Sequence, residues 1–181
     1  MDETTDRSAA ERLDAADPLS WLRDRFHLPD GLIYLDGNSL GALPRSTPAR
    51  LAHAVEHEWG ARLVSSWNEA GWWTATTRVA ARLAPLLGAD ADEVAVADST
   101  SVDLFKLLVA GARLRQGRDV LVAERSAFPT DIYIAISAAE LLGARLRLID
   151  EKSELATALD DRVAVVTLSH VDFRTRTPSS T

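Results

Sequence analysis

Residues 120–149 read VLVAERSAFPTDIYIAISAAELLGARLRLI, and the succession of textures in that stretch decides the fold class. A short apolar run, Val120 to Ala123, gives way to a polar turn containing Pro129. A segment of helical rhythm then runs from Thr130 to Leu142 and stops at Gly143, and a second apolar run follows from Arg145 to Ile149. Strand, helix and strand in that order predict a crossover unit with parallel strands. The alternation continues on both sides: Glu93 to Ala97 and Val163 to Leu168 read as further strands, and Val102 to Leu114 and Glu151 to Leu159 as further helices. Repeated strand–helix units give an α/β class with a mainly parallel sheet and flanking helices.

The first half of the chain reads differently. Residues 1–18 form a polar tail. Asp17 to Phe26 carries Leu19, Leu22 and Phe26 at helical spacing, and Leu32 to Leu35 predicts a brief strand running into a tight turn at Asp36-Gly37-Asn38. Pro44 to Leu63 predicts a helix with Leu51, Val55, Trp59 and Leu63 on one face, and a second helix runs from Thr74 to Leu87, ended by Gly88. The organisation expected is a tail (1–18), a helical segment (19–90) and an α/β domain (91–181).

Composition narrows the function. A net charge of −7 argues against nucleic acid or an anionic membrane as the main partner, since both demand clustered Lys and Arg. The absence of cysteine excludes disulfides, thiolate metal sites and a cysteine nucleophile, and points to the cytoplasm. No apolar stretch approaches a membrane span, and residues 1–17 have no signal-peptide core.

In open α/β sheets ligands gather where strands end, so the turns after the apolar runs are the places to search. Ala97-Asp98-Ser99-Thr100-Ser101 leaves a run and enters a helix. Its hydroxyls and first-turn N–H groups suit a compact monophosphate, or else form only an N-cap. No Walker-type or G-x-G-x-x-G loop is present for a nucleotide. Ser126-Ala127-Phe128-Pro129-Thr130-Asp131 puts an aromatic at the sheet edge, able to stack on a flat ring, with Pro129 and Asp131 suited to a first helical turn. Leu168-Ser169-His170 adds a hydroxyl and an imidazole. Asp36-Gly37-Asn38-Ser39-Leu40-Gly41 is a turn rich in donors. His53 and His57 share a helical spacing but lack a third ligand, so a solvated face is expected and no metal site. Trp59, Trp67, Trp72 and Trp73 are first of all core or interface aromatics.

Together these segments resemble kynureninase, a pyridoxal-phosphate enzyme. The matching stretches are Tyr34 to Gly41, Trp67-Asn68-Glu69-Ala70-Gly71-Trp72-Trp73, Ala97 to Val102, Phe128-Pro129-Thr130-Asp131 and Leu168-Ser169-His170-Val171, in the family's order. The resemblance implies the aminotransferase-like fold type I, with this chain supplying the N-terminal segment and the first half of the large domain. It implies hydrolysis of L-kynurenine, or its 3-hydroxy form, to anthranilate or 3-hydroxyanthranilate and L-alanine, in tryptophan catabolism and NAD biosynthesis. It also implies a homodimer. Carried over by position, Thr100 and Ser101 would hold the cofactor phosphate and Phe128 would stack on the pyridine ring. Pro129, Thr130 and Asp131 would complete that wall, Ser169 would sit near the cofactor, and Ser39 and Trp67 would border the substrate. The family's Schiff-base lysine, its aspartate for the pyridine nitrogen and a neighbouring histidine have no counterpart here. The only lysines, Lys106 and Lys152, fall in a helix and a polar connection. The chain therefore reads as an inactive, truncated part of such an enzyme, and Arg176 to Thr181 departs from the family's continuation. The alternatives are another fold-type I enzyme, such as a cysteine desulfurase or aminotransferase, and a noncatalytic remnant.

Overall fold

The computed structural model describes residues 6–174. The chain divides into two compact units, Met1–Arg78 and Val79–Thr181, each of which is described by itself.

The second unit is built on three parallel strands, β3 (Val120–Glu124), β4 (Arg145–Ile149) and β5 (Val163–Thr167), in the order β4-β3-β5. Strand β3 is buried at all five positions, which explains why Val120 to Ala123 is a continuous apolar run rather than an alternating one. Its side chains still divide by parity. Leu121 and Ala123 pack with Leu108, Ala135, Ala138 and Ala139, from helices α5 (Thr100–Arg113) and α6 (Pro129–Leu142). Val120 and Val122 pack on the other face with Ile149, Val163 and Ala158, the last from the short helix α7 (Leu155–Ala158). The β3-to-β4 crossover runs through α6 on one face. The β4-to-β5 crossover returns past β3 through α7 on the opposite face, as a constant handedness of connection requires.

The register of β5 carries an irregularity: Val120 pairs with Val163, but Leu121 pairs with Val165. The extra residue explains how Val163 joins the α7-side core while Val165, two positions on, packs against the α5 and α6 side. Gly143, at φ 63°, closes α6 in the left-handed conformation that glycine adopts without a Cβ penalty.

The strand expected at Glu93 to Ala97 does not form. Residues 94–97 carry no ladder bonds, because β4 and β5 already occupy both sides of β3 and neither pairs outward with them among the described residues. The expected helix from Glu151 to Leu159 is reduced to a 3-10 turn, Lys152–Glu154, followed by the single turn of α7. The helix at 74–87 is present as α4 (Ala75–Leu87), and Gly88 follows it at φ 67°.

In the first unit, α1 (Arg7–Ala16) occupies most of the expected tail. Asp6 caps it by accepting from the Ser8 N–H, and an Arg7–Glu11 pair braces its exposed side. Ser20–Arg25 is a 3-10 helix rather than the expected α-helix. Phe26–His27 (β1) and Leu43–Pro44 (β2) form a two-residue antiparallel pair. Residues 32–35 are not a strand: Leu32, Ile33, Tyr34 and Leu35 lie exposed and join no ladder among the described residues. Pro44 therefore ends β2 instead of opening a helix, which starts at Thr47. The expected continuous helix is α2 (Thr47–His53), a π-helical segment (Ala54–Gly60) and a 3-10 turn (Leu63–Ser65) entered through Leu63 at φ 51°. Leu51, Val55, Trp59 and Leu63 share no buried face; each is more than half exposed. Helix α3 (Ser66–Glu69) follows.

Candidate functional site

Parallel strands bring their carboxyl ends to one edge, and the turns leaving β3 and β5 meet there with the first turn of α5. Thr100, Leu104, Ala123, Ala127, Asp131, Ile132, Thr167, Leu168 and Ser169 line one cleft of about 160 Å³. Three expected site residues from three separate stretches, Thr100, Asp131 and Ser169, are thus brought together.

Two helix N-termini border this cleft. At α5, Ser99 is the N-cap, in extended backbone, and its hydroxyl accepts weakly from the Val102 N–H at 3.4 Å while its carbonyl accepts from the Asp103 N–H. The N–H groups of Thr100 and Ser101, in the first turn, have no intrahelical acceptor and form the positive end of the helix dipole. At α6, Phe128 precedes Pro129, whose missing N–H costs nothing at the first helical position. Asp131 complements the dipole of that helix from its first turn. A small anion suits the α5 side, and a hydrogen-bond donor suits the Asp131 carboxylate opposite.

Ser101 and Thr130 are not among the residues lining this cleft. Pro129 lines a neighbouring cleft of about 300 Å³ with Arg125, Ser126, Ala127, Ile132, Tyr133, Phe173 and Arg174. Phe128 is half-exposed and meets Phe173 edge to face, with centroids 5.1 Å apart, and the Arg174 guanidinium lies 5.5 Å from the Phe173 ring centre.

Both lysines are ion-paired. Lys106, on α5, is bonded to Asp98, and that hydrogen bond holds its amine above the ordinary lysine range, the reverse of an activated nucleophile. Lys152 donates to the Ser169 carbonyl and lies 3.7 Å from Glu124 Oε2. Glu124 is buried at the end of β3, and its other oxygen accepts from the Ser126 hydroxyl at 2.9 Å. Sequence reading assigned nothing to Glu124. The available signal was a lone acid ending an otherwise apolar run, with a cation just past the next strand.

In the first unit, Ser39 lies in the Asp36–Gly41 turn, where its hydroxyl donates to Asp36 Oδ1 at 2.8 Å and the Tyr34 hydroxyl donates to the Leu40 carbonyl. Trp67 is half-exposed and meets Trp72 and Trp73 edge-on at 6.1 and 6.2 Å. The strongest polar feature of this unit is Glu58, buried and unforeseen. Trp72 Nε1 donates to its Oε2 at 2.7 Å, and Arg50 pairs with Oε1 at 2.8 Å. The Trp72 hydrogen bond, aided by Arg50 and His53, holds the Glu58 carboxyl below its usual range against the opposing effect of burial. His53 stands 3.8 Å from Glu58 and 4.9 Å, ring to ring, from His57. No metal-holding cluster of three occurs among the described residues, and no helix there is long and apolar enough to cross a membrane.

No protein-family model matches the chain. It is 51% identical over 175 residues to the kynureninase of Burkholderia mallei (strain SAVP1), covering 93% of this chain and 42% of that protein. It is 50% identical over the same shares to the kynureninase of Burkholderia pseudomallei (strain 1106a). With the Pseudomonas fluorescens kynureninase the identity is 48% over 177 residues, or 94% of this chain and 42% of the relative. The chain spans less than half the length of the curated relatives it matches. Among solved structures it resembles a mutant of C-DES with glycine covalently linked to its PLP cofactor, at a TM-score of 0.66 and 20% identity, covering 84% of this chain and 42% of that one. That likeness identifies the α/β architecture as the aminotransferase-like fold. Across the 42% of their length that it spans, the chain is similar to kynureninases at 48 to 51% identity.

Proposed function

We propose that this chain supplies part of the cofactor cradle of a pyridoxal-phosphate-dependent kynureninase. The whole enzyme would cleave L-kynurenine, or 3-hydroxykynurenine, to the corresponding anthranilate and L-alanine in tryptophan catabolism. The observation that carries the reading is the convergence of Thr100, Asp131 and Ser169 on one cleft at the carboxyl edge of the sheet.

The residues fit the group. The first turn of α5 offers its free N–H groups to a phosphate, together with Thr100, which lines the cleft. Asp131 offers an acceptor across the cleft, and Phe128 is exposed enough to take a second ring face. When bound, pyridoxal phosphate supplies the electron sink on which carbon–carbon cleavage next to an amino acid depends. In this reading Thr100 and Ser101 anchor the phosphate, Phe128 with Pro129 and Thr130 walls the ring, Asp131 orients the ring's substituents, and Ser169 closes the β5 side. Ser39 and Trp67 border the substrate. The complete enzyme would be a cytoplasmic homodimer.

The test is titration of the 181-residue chain with pyridoxal phosphate, followed by absorbance and by equilibrium dialysis. Saturable, reversible binding is expected, weakened by Thr100→Ala and by Asp131→Ala, with no covalent attachment to Lys106 or Lys152 after borohydride reduction. Absence of binding, or binding indifferent to both substitutions, overturns the assignment.

A further inference from the structure

We propose that Lys152 is a positioning residue that ties together the carboxyl ends of all three parallel strands and so sets the shape of the cofactor-facing edge. This rests on the cofactor reading above only for what the edge is for; the tie itself stands on geometry. Lys152 lies three residues past the end of β4. Its ammonium donates to the carbonyl of Ser169, two residues past the end of β5, and lies 3.7 Å from Glu124, the last residue of β3. Glu124 in turn accepts from Ser126, at the start of the turn that carries Phe128 to Asp131. One cation thus reaches the residue that borders the cleft on the β5 side and, through Glu124, the turn that borders it on the α6 side.

The burial of this pair says what it is for. The Glu124 side chain is 12% exposed and that of Lys152 27%. Ions withdrawn from water lose hydration that their attraction only partly restores, so such a pair adds little net stability while fixing geometry. The register agrees: Glu124 pairs with Ile149 in the β3–β4 ladder, so the tie begins where the ladder stops. The Arg125 N–H to Ile149 carbonyl bond at 2.8 Å and the Arg125–Asp150 pair at 2.6 Å extend the bracing on the exposed side.

The test separates positioning from plain stability. Lys152→Met alone strands a buried carboxylate, so the informative protein is the double variant Lys152→Met/Glu124→Gln, which removes both charges and leaves an acceptor for Ser126. Amide hydrogen exchange is followed at Arg125 and Ala127 and across residues 168–171, with Leu121, Ala123 and Ala135 as core references. The expected result is exchange about tenfold faster at the edge with core amides and urea midpoint unchanged, and restoration of slow edge exchange in Lys152→Arg, which keeps Glu124. Uniform acceleration, a lowered midpoint or unfolding of the double variant makes the pair merely structural and overturns the proposal, as does an unchanged edge. Pyridoxal-phosphate titration of the same proteins tells the two readings apart. Failure of the parent chain to bind sinks the cofactor reading and leaves the exchange result to decide the tie. Binding equally tight in parent and double variant sinks the link between tie and cofactor.

Discussion

Replacing Gly111 by alanine sets two opposed effects against each other where α5 lies closest to β5. Gly111 sits inside α5, and a Cβ built there would stand 3.0 Å from Val165 Cγ2 and 3.9 Å from Cγ1. Alanine in a helix interior is favoured over glycine by about 1 kcal/mol. Forcing a methyl into a packed contact costs about 1–3 kcal/mol. The net expectation for Gly111→Ala is a loss of about 0–2 kcal/mol. With Val165→Ala in place the obstructing methyls are gone, and the same glycine replacement should then stabilise by about 1 kcal/mol. The coupling between the positions is therefore about 1–3 kcal/mol, well above the additivity error of about 0.3–0.5 kcal/mol for independent sites. Urea unfolding of the four proteins, read by circular dichroism with a common m-value, measures it directly. Coupling near zero, or a Gly111→Ala chain more stable than its parent, would refute the claim that close approach of α5 to the sheet demands glycine. The site has a stake in this contact, because the helix it seats delivers Thr100 to the cleft.

Neighbouring leucines on α5 should behave oppositely: Leu108→Ala, at 2% exposed, should cost about 2–5 kcal/mol, and Leu107→Ala, at 69% exposed, less than about 0.5 kcal/mol by the same urea assay. Thr100→Ala should weaken pyridoxal-phosphate binding about 10- to 100-fold, as expected for one hydrogen bond to a charged group, with an unchanged unfolding midpoint. Asp119 and Asp160 are held below the ordinary carboxylate range by hydrogen bonds from Arg162 and Arg147, and Glu58 by that from Trp72. Depressed folded-state values mean stability that is fully present above the unfolded range near pH 4 and is lost as pH falls through the folded values. Urea midpoints should accordingly hold between about pH 5 and 7 and drop on further acidification, with a shallower drop in Asp119→Asn/Asp160→Asn. The 181-residue chain, given pyridoxal phosphate and kynurenine, should release no anthranilate by fluorescence; release that survives removal of contaminating enzyme would contradict the reading of both lysines.

The α/β core was legible because β3 is buried on both faces. Such a strand announces itself as an unbroken apolar run, and α6 between β3 and β4 shows its own stop at Gly143. The runs at 32–35 and 94–97 carry the same local signal and form no strand. Apolar texture states a preference for burial, whereas a ladder also needs a free neighbouring edge, which is a non-local fact. Residues 44–63 failed differently. The i, i+4 spacing of Leu51, Val55, Trp59 and Leu63 presumes an unbroken 3.6-residue period, and the π-helical turn with the left-handed Leu63 destroys it. The cleft was readable from turn chemistry because a parallel sheet collects its outgoing turns at one edge. The buried acids Glu58 and Glu124 were not, because their partners are chosen by register and packing.

The two lysines make the division of labour concrete. An amine becomes a nucleophile when desolvation or a neighbouring cation favours its neutral form. Lys106 sits against Asp98, which favours the ammonium, and it is more than half exposed. Lys152 is bound to the Ser169 carbonyl and Glu124, on the side of β3 whose residues pack toward α7, whereas the cleft is lined by Ala123 from the other side. Each therefore braces a turn that borders the cleft: Lys106 the Asp98–Thr100 entrance to α5, Lys152 the outlets of β3 and β5. A cradle can be held by cations that are themselves unreactive. On the proposed reading, this chain would place phosphate donors and a ring wall, and neither Lys106 nor Lys152 would serve as the reactive amine.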